Sequence, residues 1–375
     1  MASPGESEWR AERLEQMLEF ARGSRTERGF GWLTDDGTVD TDRPLELWIN
    51  ARMTYVFAIT GDHELAEHGI RALREVFEDP EHGGWFDVEG VQDAKRCYGH
   101  DFVLLAGATA AKHGVAGGAE LLTDAAAIHA ERFWDAKAGR CVEEWSRDWS
   151  TLDDYRGANS NMHAVEAYLA AADATGDRAW LDRALLICER IIGVTARAHD
   201  WRIVEHFDAD WTPLPDFNHD KPDDPFRPFG ATPGHGFEWS RLLVQVSAAL
   251  GDDARPWIVE AAEHLFERAV DDGLDDDHPL LPYTTDWSGE PVVAERFHWV
   301  VAEAVQAAET LYDATQQALL SGLVERWWSE IDDHLIDAAN GSWIHELSPT
   351  LEPSQRTWSG RPDAYHAVNA LRGES

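Results

Sequence analysis

The sequence predicts an all-α protein, an (α/α)6 barrel of six inner and six outer helices with long loops and short β segments over one end. Three observations predict it. Amphipathic segments alternate with segments that are apolar nearly all round, each kind occurs six times, and the alternation repeats along the chain. A helix that is apolar on all sides is buried, whereas a helix charged on one face lies at the surface. Because six pairs complete a ring, we favour a closed barrel over an open superhelix.

The amphipathic segments predict the outer helices, with apolar residues at spacings of three to four and polar residues between them. In chain order they are ESEWRAERLEQMLEFARG, DHELAEHGIRALREVF, GGAELLTDAAAIHAERFW, DRAWLDRALLICERIIG, DARPWIVEAAEHLFERAV and TQQALLSGLVERWWSEIDDHL. Each has one charged face, so each is expected to lie on the outside of the barrel.

The apolar, alanine-rich segments predict the inner helices. In chain order they are LWINARMTYVFAI, YGHDFVLLAGATAA, NSNMHAVEAYLAAA, GHGFEWSRLLVQVSAAL, RFHWVVAEAVQAAETL and PDAYHAVNAL. The two kinds of segment belong to one repeat, because the stretch from Tyr55, YVFAITGDHELAEHGIRAL, matches the stretch from Ala167, AYLAAADATGDRAWLDRAL. We therefore expect a single domain over residues 1–375.

The longer loops precede the inner helices. The longest is FDADWTPLPDFNHDKPDDPFRPFGATP, which is rich in proline and aspartate and cannot be helical throughout. The segments PYTTDWSGEPVVAE and EEWSRDWSTLDDYRGA carry short β-like runs and turns. Long loops on one face of a barrel usually build the functional site, so we expect the site at this end.

The composition excludes several kinds of partner. The formal net charge of −38 argues against nucleic acid and against an anionic membrane surface, both of which require basic patches. Cys97, Cys141 and Cys188 form no Cys-x-x-Cys pair and suit a reducing cytosol as small buried residues. No stretch resembles a signal peptide or a membrane span, so we expect a cytoplasmic protein. The sequence does not determine the oligomeric state, and a homo-oligomer is among the states that it allows.

Each inner helix carries one polar residue in or near its first turns. These residues are Arg52, His100, His163, His235, His298 and His366. If the inner helices all run the same way, the six side chains converge at one end of the barrel axis, where the positive ends of the helix dipoles also meet. Histidine exchanges protons near neutral pH and arginine can hold an oxyanion. Glu166 and Glu238 each follow a histidine by three residues and can orient nearby groups.

Three other interpretations stay open on the residues alone. The His-x-x-Glu pairs could be metal ligands, although their spacing is a weak metal signature. A glycoside hydrolase on the same barrel would need two carboxylates as acid and base, whereas the repeated residue here is histidine. A non-catalytic sugar-binding protein would need fewer proton carriers. We expect an enzyme that acts on a small molecule and needs neither a metal nor another cofactor.

Five motifs make the chain similar to the N-acylglucosamine 2-epimerase superfamily. They are RMTYVFA, GANSNMHAVEAYLA, PGHGFEWSRLL, RFHWVVAEA and GRPDAYHAVNALR, and they occur in the order of the family over nearly the whole chain. The resemblance implies an (α/α)6 barrel and a reaction on free sugars without an obligatory metal. NMHAVEA and the pair His298-Trp299 resemble the aldose–ketose isomerases of the superfamily, which act on mannose or on sulfoquinovose.

The resemblance also implies roles for individual residues. His235 and His366 match the two catalytic histidines of the family, and Arg52 matches an arginine that binds the sugar oxygens at C1 and C2. His163 and Glu238 match residues that support them. The other candidates, expected to bind the substrate or support the site, are His100, Glu166, His298 and Trp299.

The reaction implied by this resemblance interconverts D-mannose and D-fructose, and also D-lyxose and D-xylulose, through a cis-enediolate. His366 is expected to carry the proton between C2 and C1, and His235 to open the ring and move the oxygen protons, although the two roles can be exchanged. A sulfoquinovose isomerase and a sugar 2-epimerase of the same superfamily are the alternatives.

Overall fold

Twelve α-helices form two concentric rings in the computed structural model, which describes residues 2–274 and 280–373. The outer helices are α1 (Ser7–Arg22), α3 (His63–Ala72), α5 (Gly118–Ile128), α7 (Arg178–Cys188), α9 (Trp257–Gly273) and α11 (Ala318–Glu330). The inner helices are α2 (Leu47–Ile59), α4 (Cys97–Lys112), α6 (Ala158–Thr175), α8 (Pro233–Leu250), α10 (His298–Thr315) and α12 (Tyr365–Arg372). The predicted all-α architecture is confirmed. The domain predicted over residues 1–375 includes residue 1, residues 275–279 and residues 374–375, which lie outside the described residues.

The inner ring is closed. Each inner helix packs against the next, from α2 on α4 through α10 on α12, and α12 returns to α2. Each outer helix packs mainly on one inner helix, and α1 pairs with α12, so that the two ends of the chain complete the sixth hairpin. The contact between α12 and α2 shows a closed barrel rather than an open superhelix, because an open superhelix would leave these two helices apart.

The Thr-Gly-Asp breaks end an inner helix and start the next outer one. Gly61 and Gly176 have φ values of +80° and +70°, a left-handed conformation that glycine adopts without steric cost. Asp62 then caps α3 by accepting a hydrogen bond from the backbone N–H of Leu65, and Asp177 caps α7 in the same way. The repeat seen in the sequence is therefore a repeated capping signal.

Four outer helices end in a wider, π-helical turn that the periodicity did not predict. These turns are Leu73–Phe77, His129–Phe133, Glu189–Ala196 and Ile331–Leu335. The first, second and fourth end on a residue with no exposed surface, Phe77, Phe133 and Leu335, after which the chain becomes extended. In these three helices, the wider turn therefore occurs where the last residue of the helix is buried in the core.

Six two-stranded antiparallel ladders lie in the loops. Their strands pair as β1 (Lys95–Arg96) with β4 (Glu144–Trp145), β2 (Trp134–Asp135) with β3 (Arg140–Cys141), β5 (Arg156–Gly157) with β6 (His206–Phe207), β7 (Thr284–Thr285) with β8 (Pro291–Val293), β9 (Arg296–Phe297) with β12 (Glu346–Leu347), and β10 (Ile336–Asp337) with β11 (Ser342–Trp343). Strands β1, β5 and β9 lead directly into α4, α6 and α10. Their partners lie in the loop before the following inner helix, so these ladders join neighbouring loops at the amino-terminal end of the inner ring. In the described part of the chain, no helix is long and apolar enough to cross a bilayer.

Candidate active site

A cavity opens at the amino-terminal end of the inner ring and encloses about 790 Å³ of empty space, its open mouth included. Every inner helix contributes to its wall, through Trp48, Arg52, Tyr98, Asn159, His163, His235, Glu238, His298, Trp299 and His366. The loops add Pro225, Phe226, Tyr283, His345 and Trp358, among others. Since these helices all present their first turns to one cavity, they run in the same direction. The size and the aromatic walls with convergent polar groups are typical of a small-molecule site.

His235 lies in the first turn of α8, which begins at Pro233. Its Nδ1 is 2.8 Å from Oε1 of Glu205, a residue of the preceding loop that is only 5 % exposed. A carboxylate oxygen can only accept in this contact, so Nδ1 carries the hydrogen and Nε2 is left to act on a ligand. The ring of Trp299 lies 5.4 Å from that of His235.

His366, in the first turn of α12, has the same kind of support. Its Nδ1 is 2.8 Å from Oε1 of Glu303, whose other oxygen is 3.1 Å from Nη2 of Arg241. Burial acts to raise the pKa of Glu303, but the charge of Arg241 and the hydrogen bond to His366 hold it well below the usual value. An ionised carboxylate therefore faces His366, and Trp299 lies between the two histidines, 5.7 Å from the ring of His366.

His163 lies on the cavity wall with two carboxyl groups near its Nδ1. Oε2 of Glu166 is 3.3 Å away and Oε1 of Glu238 is 3.7 Å away. Burial lowers the pKa of His163 to about 4, so its ring is neutral at neutral pH. Burial, together with the charges of Glu303 and Glu166, raises the pKa of Glu238. The hydroxyl of Tyr365 donates to Glu166, which supports His163 from behind without lining the cavity.

Within residues 2–274 and 280–373, Arg52 is the one permanent cation that lines this cavity. Its Nη1 is 3.2 Å from Oδ2 of Asp363, and its Nη2 donates to the hydroxyl of Tyr98 over 3.0 Å. Burial acts to lower the pKa of the guanidinium, but Tyr98 and Asp363 outweigh it and raise this pKa above its usual value. Arg52 therefore stays charged. A fixed positive charge in a largely buried wall is suited to binding electron-rich oxygens.

His298 also lines the cavity, and its ring stacks on that of His345 with 3.7 Å between the ring centroids. Its Nδ1 contacts the backbone oxygen of His345 at 3.2 Å. Burial lowers the pKa of His298 to about 3 and lowers that of His345 as well, so both rings are neutral. His298 is thereby oriented as a neutral hydrogen-bonding group.

One expectation about this ring of residues is wrong. His100 does not line the cavity, because its Nε2 accepts from the backbone N–H of Trp85 at 3.0 Å and its Nδ1 lies 2.7 Å from the backbone oxygen of Arg96. Both ring nitrogens are used by the backbone, and burial lowers its pKa to about 3. Glu238, which follows His235 by three residues on α8, does not contact that histidine. It faces His163 instead, since the preceding loop already supplies Glu205 to His235.

Four further residues of the site were not predicted from the sequence, namely Glu205, Glu303, Asp363 and His345. Glu303 and its partner Arg241 had a usable signal, because each is a charged residue within a helix that the sequence predicts to be buried. A charge in such a position is buried and needs a partner. Glu205 and His345 lie in loops outside the helical repeat, and no periodicity points to them.

One group in the described residues has the spacing of a metal site at the cavity. Ligand atoms of His163, Glu166 and Glu238 all lie within 4.8 Å of one another. However, the charges of Arg52 and Arg241 act on the same carboxyl groups. A bound cation would meet their repulsion in a region of low dielectric, so the arginines already supply the positive charge here.

The chain matches the model of the N-acylglucosamine 2-epimerase (GlcNAc 2-epimerase) family over residues 29–370. It is 45% identical to a D-mannose isomerase of Thermobifida fusca over 97% of this chain and 93% of that protein. It is 42% identical to a D-mannose isomerase of Pseudomonas cannabina pv. alisalensis, with 99% and 92% covered.

Solved structures agree with this assignment. A crystal structure of a D-mannose isomerase superposes with a TM-score of 0.91 at 27% identity and covers 99% of this chain and 98% of its own. The cellobiose 2-epimerase of Spirochaeta thermophila DSM 6192 superposes with a TM-score of 0.83 over 97% of this chain and 95% of its own, and at 22% identity it shows the shared fold. By sequence and by architecture, the chain belongs to the N-acylglucosamine 2-epimerase family.

Proposed function

We propose that this protein is an aldose–ketose isomerase that interconverts D-mannose and D-fructose through a cis-enediolate, with histidines as the acid and base. The observation that carries the proposal is the pair His235 and His366, each held by a buried carboxylate on Nδ1 and both lining one cavity on either side of Trp299. The D-mannose isomerases at 45% and 42% identity point to the same substrate.

Ring opening comes first, because only the open-chain aldose has the carbonyl that acidifies the hydrogen at C2. This step takes a proton from the anomeric hydroxyl and returns one to the ring oxygen. We assign it to His235, since Nε2 can accept a proton while Glu205 holds the hydrogen of Nδ1.

The carbon chemistry then needs one base on one face of the substrate. We assign this role to His366, which removes the proton at C2 and returns it to C1 of the planar enediolate. The ionised Glu303 stabilises the imidazolium that exists between the two transfers, and Arg241 keeps that carboxylate in place. Exchanging the roles of His235 and His366 leaves the overall reaction the same.

The enediolate carries negative charge on the oxygens at C1 and C2. Arg52 is fixed by Asp363 and Tyr98 with its charge in the cavity wall and is the group best suited to hold those oxygens. His163 and His298 are neutral and contribute hydrogen bonds without competing for the carbon proton. The raised pKa of Glu238 favours its protonated form, which can donate a hydrogen bond beside His163.

A neutral sugar suits this cavity better than a sulfonated one. If Arg52 binds the oxygens at C1 and C2, the described residues that line the cavity include no other arginine or lysine to bind a sulfonate at C6. D-Lyxose lacks C6 of mannose and keeps C1 to C5, so we expect it to be converted to D-xylulose more slowly. A sugar 2-epimerase is the second candidate, because a pair of supported histidines can also serve the two faces of C2.

The test is to incubate the purified protein with mannose, fructose, glucose, lyxose and sulfoquinovose and to identify the products by chromatography. We expect mannose and fructose to interconvert, with glucose as a minor product at most, and dialysis against EDTA to leave the rate unchanged. Sulfoquinovose as the preferred substrate would contradict the substrate assignment. A rate abolished by EDTA and restored by a divalent ion, while circular dichroism shows that the helices stay intact in EDTA, would contradict the histidine mechanism. The His366→Ala variant is the control for contaminating isomerases.

A further inference from the structure

A second cluster of reactive side chains lies in the protein core, away from the cavity wall. Its members come from helix α4, from the π-helical turn after α5, from strand β3 and from helix α6, and they are Cys97, Asp101, His129, Cys141 and Tyr168. All five have no exposed surface, and none of them lines the cavity described above. The proposed reaction uses none of them.

The ligand atoms of this cluster are close together. Sγ of Cys97, one ring nitrogen of His129 and Sγ of Cys141 all lie within 4.8 Å of one another. Cys97 Sγ is 3.9 Å from His129 Nε2 and 3.6 Å from Oδ1 of Asp101. In a tetrahedral zinc site with bonds of roughly 2.0–2.3 Å, neighbouring ligand atoms lie about 3.3–3.8 Å apart. Shifts of about an ångström or less would therefore bring the two sulfurs and the nitrogen to a common ion.

The cluster also contains an unpartnered polar atom. Oδ1 of Asp101 contacts His129 Nε2 at 2.6 Å, but Oδ2 is buried and has no hydrogen-bond partner in the described residues. A buried carboxyl oxygen without a partner is costly, and its neighbours here are two thiols and an imidazole. On the other side of the imidazole, Nδ1 of His129 is 3.0 Å from the hydroxyl of Tyr168. A partner on the second ring nitrogen is the usual support of a metal-bound histidine.

We propose that Cys97, Cys141, His129 and Asp101 form a structural site for a divalent transition-metal ion, with zinc as the ion that two thiolates, an imidazole and a carboxylate favour. As the metal–sulfur bonds form, the two thiols lose their protons to solvent. His129 binds through Nε2 and keeps its hydrogen on Nδ1, facing Tyr168. Asp101 exchanges its contact with His129 for the metal. The ion joins three segments that are far apart in the sequence and takes no part in the sugar chemistry.

Metal content and cobalt spectroscopy of the full chain test this site. The protein is produced in medium supplemented with Zn²⁺ or with Co²⁺, passed over a chelating resin and analysed by elemental mass spectrometry and absorption. We expect about one ion per chain and, with Co²⁺, a thiolate-to-metal charge-transfer band in the near ultraviolet. Cobalt held by His163, Glu166 and Glu238 would give no such band, so the spectrum separates the two groups of ligands.

Cysteine variants assign the ligands. Cys97→Ser and Cys141→Ser are each expected to lower the bound cobalt and its charge-transfer band about tenfold or more. Cys188→Ser is the matched control, because Cys188 is equally buried in α7 but lies outside the cluster, and it should keep both signals.

Several results would overturn the proposal. One is less than about a tenth of an ion per wild-type chain in both media. Another is a bound ion without a thiolate band, or a band that both variants retain. A disulfide between Cys97 and Cys141 in the purified wild-type protein, seen by mass spectrometry, would also exclude the site. The wild-type measurements do not depend on the folding of the variants, and their failure would leave the proposed isomerase reaction untouched.

Discussion

The starts of helices α4 and α8 occupy equivalent places in the repeat, yet their histidines have different surroundings. The two nitrogens of His100 on α4 are taken by backbone groups of Trp85 and Arg96, and its ring packs 4.8 Å from that of Phe133. His235 on α8 has a carboxylate on Nδ1 and lines the cavity. The repeat places a histidine near the start of both helices. The loop before each helix then determines whether backbone groups occupy both ring nitrogens, as in His100, or a carboxylate supports one of them, as in His235.

The largest expected effect comes from removing the supported histidines. His235→Ala and His366→Ala should each lower kcat about 10²–10⁴-fold, because general acid/base catalysis typically contributes that much. Initial rates of fructose formation measure the effect, and circular dichroism checks that the helices are intact. A folded variant of either kind with near-normal turnover would contradict the assignment.

A smaller effect is expected from the carboxylate behind His235. Glu205→Gln removes the charge that stabilises the imidazolium and should lower kcat about tenfold or more while changing KM only a few-fold. Glu295→Gln is the matched control, since Glu295 is equally buried in a loop but contacts Arg356 rather than a histidine, and it should stay within about twofold. An equal loss in both variants would mean that Glu205 acts through loop structure alone.

The smallest effect on activity is expected at His100. His100→Asn should keep turnover within about twofold but lower the free energy of unfolding by about 1–3 kcal/mol, because it leaves the N–H of Trp85 without its acceptor. Burial lowers the pKa of His100 in the folded state from 6.5 to about 3. Its favourable contribution is therefore complete above pH 6.5 and is lost as the pH falls from there towards 3.

The asparagine variant lacks this titration. The difference in stability between His100→Asn and the wild type should therefore shrink by about 1.4 kcal/mol between roughly pH 7.5 and pH 5.5. Urea unfolding at the two pH values measures the difference. A tenfold loss of turnover in His100→Asn would place His100 in the site after all, and a constant difference in stability would show that its ring is not kept neutral by burial.

The two histidines also show how much the sequence can predict. All twelve helices were expected, because an amphipathic helix and a helix that is apolar on every side each leave a signal that does not depend on neighbours in space. The alignment of helix starts likewise picked out Arg52, His163, His235, His298 and His366, which all line the cavity. It could not separate His100 from His235, since Trp85 and Glu205 are 15 and 30 residues away in loops outside the repeat.

The pairing of Arg52 and His366 with their supporting carboxylates could not be predicted from the sequence either, because these partners too lie far apart along the chain. Asp363 is 311 residues from Arg52, and Glu303 is 63 residues from His366. Only closure of the ring brings α12 and the loop before it beside α2 and α10. The pattern within each helix reports which face is buried, but the pairing of charges depends on which helices become neighbours.

Isotope transfer tests most directly whether one supported histidine moves a proton along one face of the substrate. [2-²H]Mannose is incubated with the protein in ordinary water, and the early products are analysed by NMR and mass spectrometry. We predict that fructose forms first and that part of the deuterium appears at C1, because a single base, assigned here to His366, takes it from C2 and returns it before full exchange with solvent. Glucose as the dominant early product, formed before fructose accumulates, would contradict this account, because both faces of C2 would then be served and the protein would be a 2-epimerase.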